Sequence, residues 1–279
     1  MIQIQDFSFT YKNGENPALQ EISLTVPDGG FLGIIGPAGA GKTTLARAVT
    51  GMIPHHYKGD FYGSVTVNGM DTFETSLPDL SRIVGMVFQD VDSQIISPMV
   101  EDELLYGLEN FSVPREEIPA RIEEALQKVG IADLRERTIG SLSGGQRQKV
   151  AIASIIALKP QILVMDEPTG ELDPRSSRQV FSLLKELNEE HGVTVIIIEQ
   201  KIMLLCEFAR QLAVLSEGRI VRQGDTRDVL AHSEELEALG VNCPRVTTLS
   251  RILGEKTGER QPACINLDEA EAMVRRLIG

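Results

Sequence analysis

The 279-residue sequence contains no tryptophan and only three cysteines. Cys206, Cys243 and Cys264 stand far apart, with no CxxC pair and no Cys/His ligand spacing. A zinc site or a disulfide framework therefore has little support, and reduced cytosolic thiols are expected. No run approaches the ~20 apolar residues a bilayer-spanning helix needs, and MIQIQDFSFTY lacks the basic segment and apolar core of a targeting leader. The chain is expected to be soluble unless a partner takes it to a membrane. Basic residues are scarce as well: 27 Lys and Arg against 40 Asp and Glu leave a formal charge of −13. Such a surface repels polyanions, which argues against the nucleic-acid backbone as the main ligand. The sequence also shows no internal repeat, low-complexity linker or long coiled coil.

What is present is an ordinary globular composition, 42% apolar and 24% charged, in a chain long enough to bury a sizeable core. Its apolar residues come in two textures. Leu19, Ile22, Leu24 and Val26 alternate with polar residues, as do Val65 and Val67 before an Asn68-Gly69 turn; with IQIQDFSFTY at the start, they predict an antiparallel sheet. FLGII (31 to 35), IVGMVF (83 to 88), ILVMD (162 to 166), TVIII (194 to 198) and LAVLS (212 to 216) are instead nearly continuous apolar runs. These fit strands of a parallel sheet covered on both faces.

Between the second and third runs the period becomes helical, with Ile118, Ile122, Ala125, Leu126 and Val129 on one face and a further helix expected from Gly144 to Leu158, stopped by Pro160. Glu217-Gly218 marks a hairpin turn. The tail from about Glu234 reads as a small helical accessory segment. Its apolar stripe of Leu267, Ala270, Val274, Leu277 and Ile278 suits docking on the core or on another subunit, with docking on the same chain the safer expectation.

GPAGAGKT, Gly36 to Thr43, follows the strand FLGII, precedes a helix and matches G-x-x-x-x-G-K-[ST]. Glycines at 36, 39 and 41 let backbone amides curl around phosphate oxygens, and the helix N-terminus adds positive partial charge. Gly36, Pro37, Ala38, Gly39, Ala40, Gly41, Lys42, Thr43 and Thr44 are thus the expected nucleotide-binding residues, with Lys42 on the β- and γ-phosphates and the Thr43 hydroxyl on magnesium. Alone, the loop says only that a nucleoside triphosphate binds. ILVMDEPT, 162 to 169, ends an apolar strand in two carboxylates: in a P-loop protein Asp166 can hold magnesium through water, and Glu167 is placed to orient or deprotonate an attacking water.

LSGGQ, Leu142 to Gln146, opens the second helix of the insert and offers a second phosphate-binding turn. Here the sequence resembles the nucleotide-binding subunits of ABC transporters, over roughly residues 2 to 230, with the motifs in their proper order. The resemblance implies an α/β P-loop NTPase (RecA-like) core with an N-terminal antiparallel β subdomain and a helical subdomain at about 92–158, residues 1–230 in all, then a C-terminal helical extension, 231–279. It implies that Tyr11 stacks on adenine, that Gln89 senses magnesium and the γ-phosphate, and that Asp173 belongs to the D-loop, where Glu171 replaces the family's usual small residue. Ser143, Gly144, Gly145 and Gln146 would act on the nucleotide of a second ATPase subunit, identical or paralogous, across a head-to-tail dimer. ATP and Mg2+ are the implied ligands. A transmembrane coupling protein and a substrate-binding membrane subunit are the implied partners, at the cytoplasmic face of the cell membrane, with no nucleic acid.

FQDVDSQIISPMVEDELLYGLEN, with Asp92, Gln94 and Glu101-Asp102-Glu103, and the loop GMIPHHYKGDFYG resemble the ATPases of energy-coupling-factor importers, which take up vitamins and transition-metal ions. A conventional binding-protein-dependent importer, a nontransport ABC ATPase and a regulatory nucleotide-binding subunit are the alternatives. His55 and His56, without acidic or cysteine ligands beside them, read as a solvated loop. In the polar tip Glu199-Gln200-Lys201, Gln200 falls where the family has a switch histidine, and Glu199 is unremarkable in the group. A glutamine still donates a hydrogen bond but carries no charge and shuttles no proton near neutral pH. Removal of one charge-stabilising donor costs ~2.7 to 4 kcal/mol at comparable sites, so nucleotide binding is expected to survive better than turnover.

Overall fold

The two apolar textures become two sheets in the computed structural model, which describes residues 1–258 and 261–278; positions 259, 260 and 279 of the expected extension lie outside the described residues. The strands are β1 (Ile2–Tyr11), β2 (Leu19–Val26), β3 (Phe31–Ile35), β4 (Gly59–Val67), β5 (Met70–Asp71), β6 (Val84–Val87), β7 (Ile162–Asp166), β8 (Thr194–Ile198), β9 (Gln211–Ser216) and β10 (Arg219–Asp225). The alternating segments form an antiparallel sheet of order β2-β1-β4-β5. The continuous runs form a second sheet, β10-β9-β3-β8-β7-β6, parallel except for the β10 edge.

Every residue of β3, β7 and β8 is buried because each strand feeds two cores. Phe31, Leu163, Met165, Val195 and Ile197 face one that also holds the helices of the insert and the helix Pro174–His191. Leu32, Ile34, Val164, Ile196 and Ile198 face another, shared with the antiparallel sheet and the helix Lys42–Val49. Burial on both faces removes the period-two signal and leaves uninterrupted apolar runs.

The stretch between β6 and β7 holds helices Val100–Asn110, Ile118–Lys128 and Gly144–Ala157, and all five residues of the predicted 118–129 face are buried. The tail docks on its own chain. Its last two helices, Arg245–Thr257 and Leu267–Ile278, enclose Val246, Cys264, Ala270 and Met273, with Val274 and Leu277 beside them. Arg227 ties them to the body through a bidentate pair with Glu269 at 2.9 and 2.7 Å, which holds the Glu269 carboxyl below its usual range. The predicted stripe needs correcting at both ends: Leu267 and Ile278 are 73% and 80% exposed, and Met273 takes the central place. Residues 270, 273, 274 and 277 share one helical face, whereas 267 and 278 sit on the terminal turns.

The three cysteines are free thiols; burial pushes Cys206 up and Cys243 to about 11, so neither is a thiolate near neutral pH. Among the described residues no helix is long and apolar enough to cross a membrane.

Candidate nucleotide site

In the parallel sheet β3, β8, β7 and β6 are neighbours, so their C-terminal ends open on one edge, and the loops leaving them meet there. The loop after β3 turns tightly before the helix Lys42–Val49. At Gly36 a Cβ would stand 2.1 Å from the Leu215 carbonyl oxygen, and at Gly41, φ 100°, 2.5 Å from that of Ala18, so neither position admits a side chain. Lys42 is 8% exposed and donates to the Gly36 and Pro37 carbonyls, both at 2.9 Å. Burial lowers its pKa, opposed by the negative charges of Glu167 and Asp166. No acidic residue occupies the first turn of this helix, so its positive end is left uncompensated by the chain.

Asp166, the last residue of β7, is 2% exposed and hydrogen-bonded to the Thr43 hydroxyl. Burial raises its pKa and the Thr43 bond acts against that. Glu167 follows at φ 50°, its amide donating to the Ile198 carbonyl on β8 at 2.9 Å. That bend turns the carboxylate toward the neighbouring loops, where Gln200 Nε2 donates to one oxygen at 2.6 Å and Gln89 Nε2 to the other at 3.0 Å. Three residues from the ends of three adjacent strands are thus joined in one hydrogen-bonded group.

Tyr11 lies against the helix Lys42–Val49, its hydroxyl paired with Thr44 Oγ1 at 3.1 Å and accepting from Arg47 at 3.0 Å. Its ring meets Phe9 and Tyr57 edge-on, and the Arg47 guanidinium stands 4.1 Å above the Tyr57 ring. Gln94 braces the loop after β6 by accepting from the Phe88 amide at 3.0 Å and donating to the Met86 carbonyl at 3.2 Å. The buried Glu103 carboxylate accepts from the amides of Ile96 and Ser97 at 2.9 and 2.8 Å, and Asp92 pairs with Arg147 at 2.7 Å.

The residues Ser143, Gly144, Gly145 and Gln146 line a separate cavity of about 430 Å³ with Glu171 and Asp173. Ser143 caps the helix Gly144–Ala157, and Gln146 returns a bond to the Ser143 amide at 2.9 Å, a reciprocal box that fixes the turn. Asp173 caps Pro174–His191 through the amides of Arg175 and Ser176, at 2.9 and 3.0 Å. Glu171 crowds the glycines: a Cβ on Gly144 would lie 2.9 Å from its Oε2, and one on Gly145 3.1 Å from its carbonyl oxygen.

Two residues of the polar tip differ from the sequence reading. Glu199 is far from unremarkable: it is 3% exposed and accepts from Thr169 Oγ1 at 2.5 Å and from the amides of Gln200 and Lys201 at 2.9 and 3.1 Å. These three donors offset the cost of burying the polar side chain. Lys201, given no role by the sequence reading, reaches back to the segment after β7. The only signal for either was position, one and three residues beyond a fully buried strand. His55 differs from a solvated loop, ending the short helix Met52–His55 with a 2.9 Å contact to the Thr72 carbonyl, whereas His56 is exposed in the turn that follows, edge-on to Tyr57. Neither joins a cluster of ligand-type side chains among the described residues.

The family model described as "ABC transporter" matches residues 19–170. A Pyrococcus horikoshii protein provisionally named as an ABC transporter ATP-binding protein is 40% identical over 99% of this chain and 96% of its own length. The energy-coupling factor transporter ATP-binding protein EcfA1 of Caldanaerobacter subterraneus is 40% identical over 91% of each chain. Among solved structures, cbiO1 from Clostridium perfringens, described as part of the ABC transporter complex cbiONQ, aligns with TM-score 0.74 and 30% identity over 90% of this chain and 98% of its own. The dimeric ATP-binding cassette MJ0796, bound to ADP and Pi, aligns with TM-score 0.72 and 28% identity over 81% and 99%. With relatives that match it nearly end to end and a P-loop opening on an acidic strand end, the chain belongs to the ABC transporter ATP-binding family and is a nucleotide-binding ATPase.

Proposed function

We propose that this chain energises an energy-coupling-factor type importer of a vitamin or a transition-metal ion, working at the cytoplasmic membrane face through a transmembrane coupling protein and a substrate-binding subunit. The reading takes residues 1–230 as the ATPase unit and 231–279 as its accessory extension. EcfA1 and cbiO1 among the relatives support the subfamily, and the dimeric MJ0796 cassette supports pairing of two ATPase subunits. The signature turn lining a cavity of its own supports a second nucleotide shared with that partner.

The observation that carries the hydrolytic role is the grip of two amides on Glu167. Both donors aim the carboxylate so that it can orient a water and accept its proton. Lys42 and backbone N–H groups of the loop 36–44, Pro37 having none, take the phosphates, and Tyr11 the adenine. The donor set of Thr43, Asp166 and Gln89 suits magnesium: a hydroxyl, an amide oxygen and a buried carboxylate whose desolvation a divalent cation would offset. When bound, magnesium supplies neutralisation of phosphate charge; this chain's residues hold, orient and exclude.

Gln200 grips Glu167 without a titratable proton. Gln200→His in the assembled complex is expected to raise steady-state ATPase about tenfold or more, within the ~100- to 1,000-fold that complete loss of such a donor costs. No rise would count against an impaired site. The transport reading is tested by affinity purification from solubilised membranes: copurifying integral membrane chains support it, and ribosomal or DNA-bound chains in their place would overturn it.

A further inference from the structure

Lys201 stands immediately after Gln200, and its half-buried ammonium donates to three oxygens of one neighbouring segment. These are the carbonyls of Thr169 at 2.5 Å and Leu172 at 2.9 Å and the hydroxyl of Ser177 at 3.1 Å. All three protons of the ammonium are thereby used. From the same turn Glu199 grips the Thr169 hydroxyl. The loop that carries Gln200 is therefore fastened at both sides to residues 169–177. That segment also carries Glu171, which lies against Gly144 and Gly145.

We propose that Lys201 is a positioning residue for hydrolysis: it locks residues 169–172 to the loop bearing Gln200, so that the chain's own nucleotide and the signature glycines serving the second nucleotide respond together. A lysine suits the task because the acceptors are two carbonyls and a hydroxyl converging from different directions, which a compact ammonium satisfies and a planar guanidinium does not. The proposal rests on the two-nucleotide dimer reading above. Within that reading Lys201 touches no nucleotide and acts through Gln200 on one side and the Glu171 segment on the other.

The test compares Lys201→Met, which keeps the apolar stem and removes the donors, with Lys201→Arg and with the milder Ser177→Ala, which removes one acceptor. In the complex recovered from membranes, Lys201→Met is expected to lower kcat about tenfold, as loss of one charge-assisted bond network allows, with KM unchanged within about twofold. Lys201→Arg, retaining the charge, should recover part of kcat, and Ser177→Ala should lose about two- to fourfold in the same direction. Amide hydrogen exchange on the purified full chain, which needs no turnover, should quicken at residues 169–173 by about tenfold in Lys201→Met. An unchanged kcat, a matching loss of ATP affinity in the isolated chain, or unchanged exchange at 169–173 would each overturn the proposal. A wild-type complex that pairs no second nucleotide would strike the dimer reading, while the exchange data would still decide whether Lys201 holds the segment.

Discussion

Glu167→Gln is expected to abolish most ATP turnover while leaving nucleotide binding intact or tighter. The substitution keeps the shape of the side chain and removes its capacity to accept a proton. It also places an amide NH2 opposite one of two NH2 groups, since Gln200 and Gln89 each donate to a separate oxygen of Glu167. One of those donors must turn away, so the proposed water-orienting geometry is lost together with the proposed base. Loss of comparable catalytic groups costs about a hundredfold to a thousandfold in rate. Binding is spared because Lys42 and the loop amides are untouched. Removal of a negative charge that acts on Lys42 and Asp166 also favours an incoming polyphosphate. Steady-state ATPase of the assembled complex, paired with equilibrium binding of a fluorescent ATP analogue, separates the two effects. A variant that turns over ATP at the wild-type rate would remove Glu167 from the reaction.

The second large effect is on stability. Phe181 is 0% exposed, lies on the core side of Pro174–His191 with Val180 and Leu184, and packs its ring 5.3 Å from that of Phe208. Phe181→Ala is expected to cost about 3–5 kcal/mol, combining lost transfer energy with the cavity left between helix and sheet. It also loosens the helix that Asp173 caps and whose first turn carries Ser177. Urea unfolding followed by circular dichroism reads the loss directly. A shift equivalent to less than about 1 kcal/mol would mean that the helix is not anchored there.

Strands and phosphate loop were legible in the sequence because their causes are local. Continuous apolar runs can only be strands or helices covered on every side, and Gly36 and Gly41 occupy places where backbone oxygens leave no room for a Cβ. Family resemblance singled out Gln89, Glu167 and Gln200 one by one, but not the contacts among them, since 78 and 33 residues separate the partners and strand order alone brings them together. Glu199 and Lys201 escaped the sequence reading for a different reason. A polar residue after a buried strand looks the same whether it faces a substrate or fastens a neighbouring turn, and the oxygens that Lys201 binds are mostly backbone, which no residue type announces. Leu267 and Ile278 were misjudged because periodicity gives the direction of a helical face and not the length of the surface opposite.

The double-sided burial of β3, β7 and β8 carries one last implication. In a sheet with one wet face, a slip of one residue exposes the oily side and is penalised at once. These strands are greasy on both sides, so sliding by a single position exchanges one hydrocarbon environment for another at little cost. Alignment must be enforced where polarity returns, at Asp166, Glu167 and Glu199. Asp166 and Glu167, proposed above to serve the nucleotide, are thus also stops that keep the strands in step, so a substitution at either is expected to disturb folding fidelity as well as chemistry.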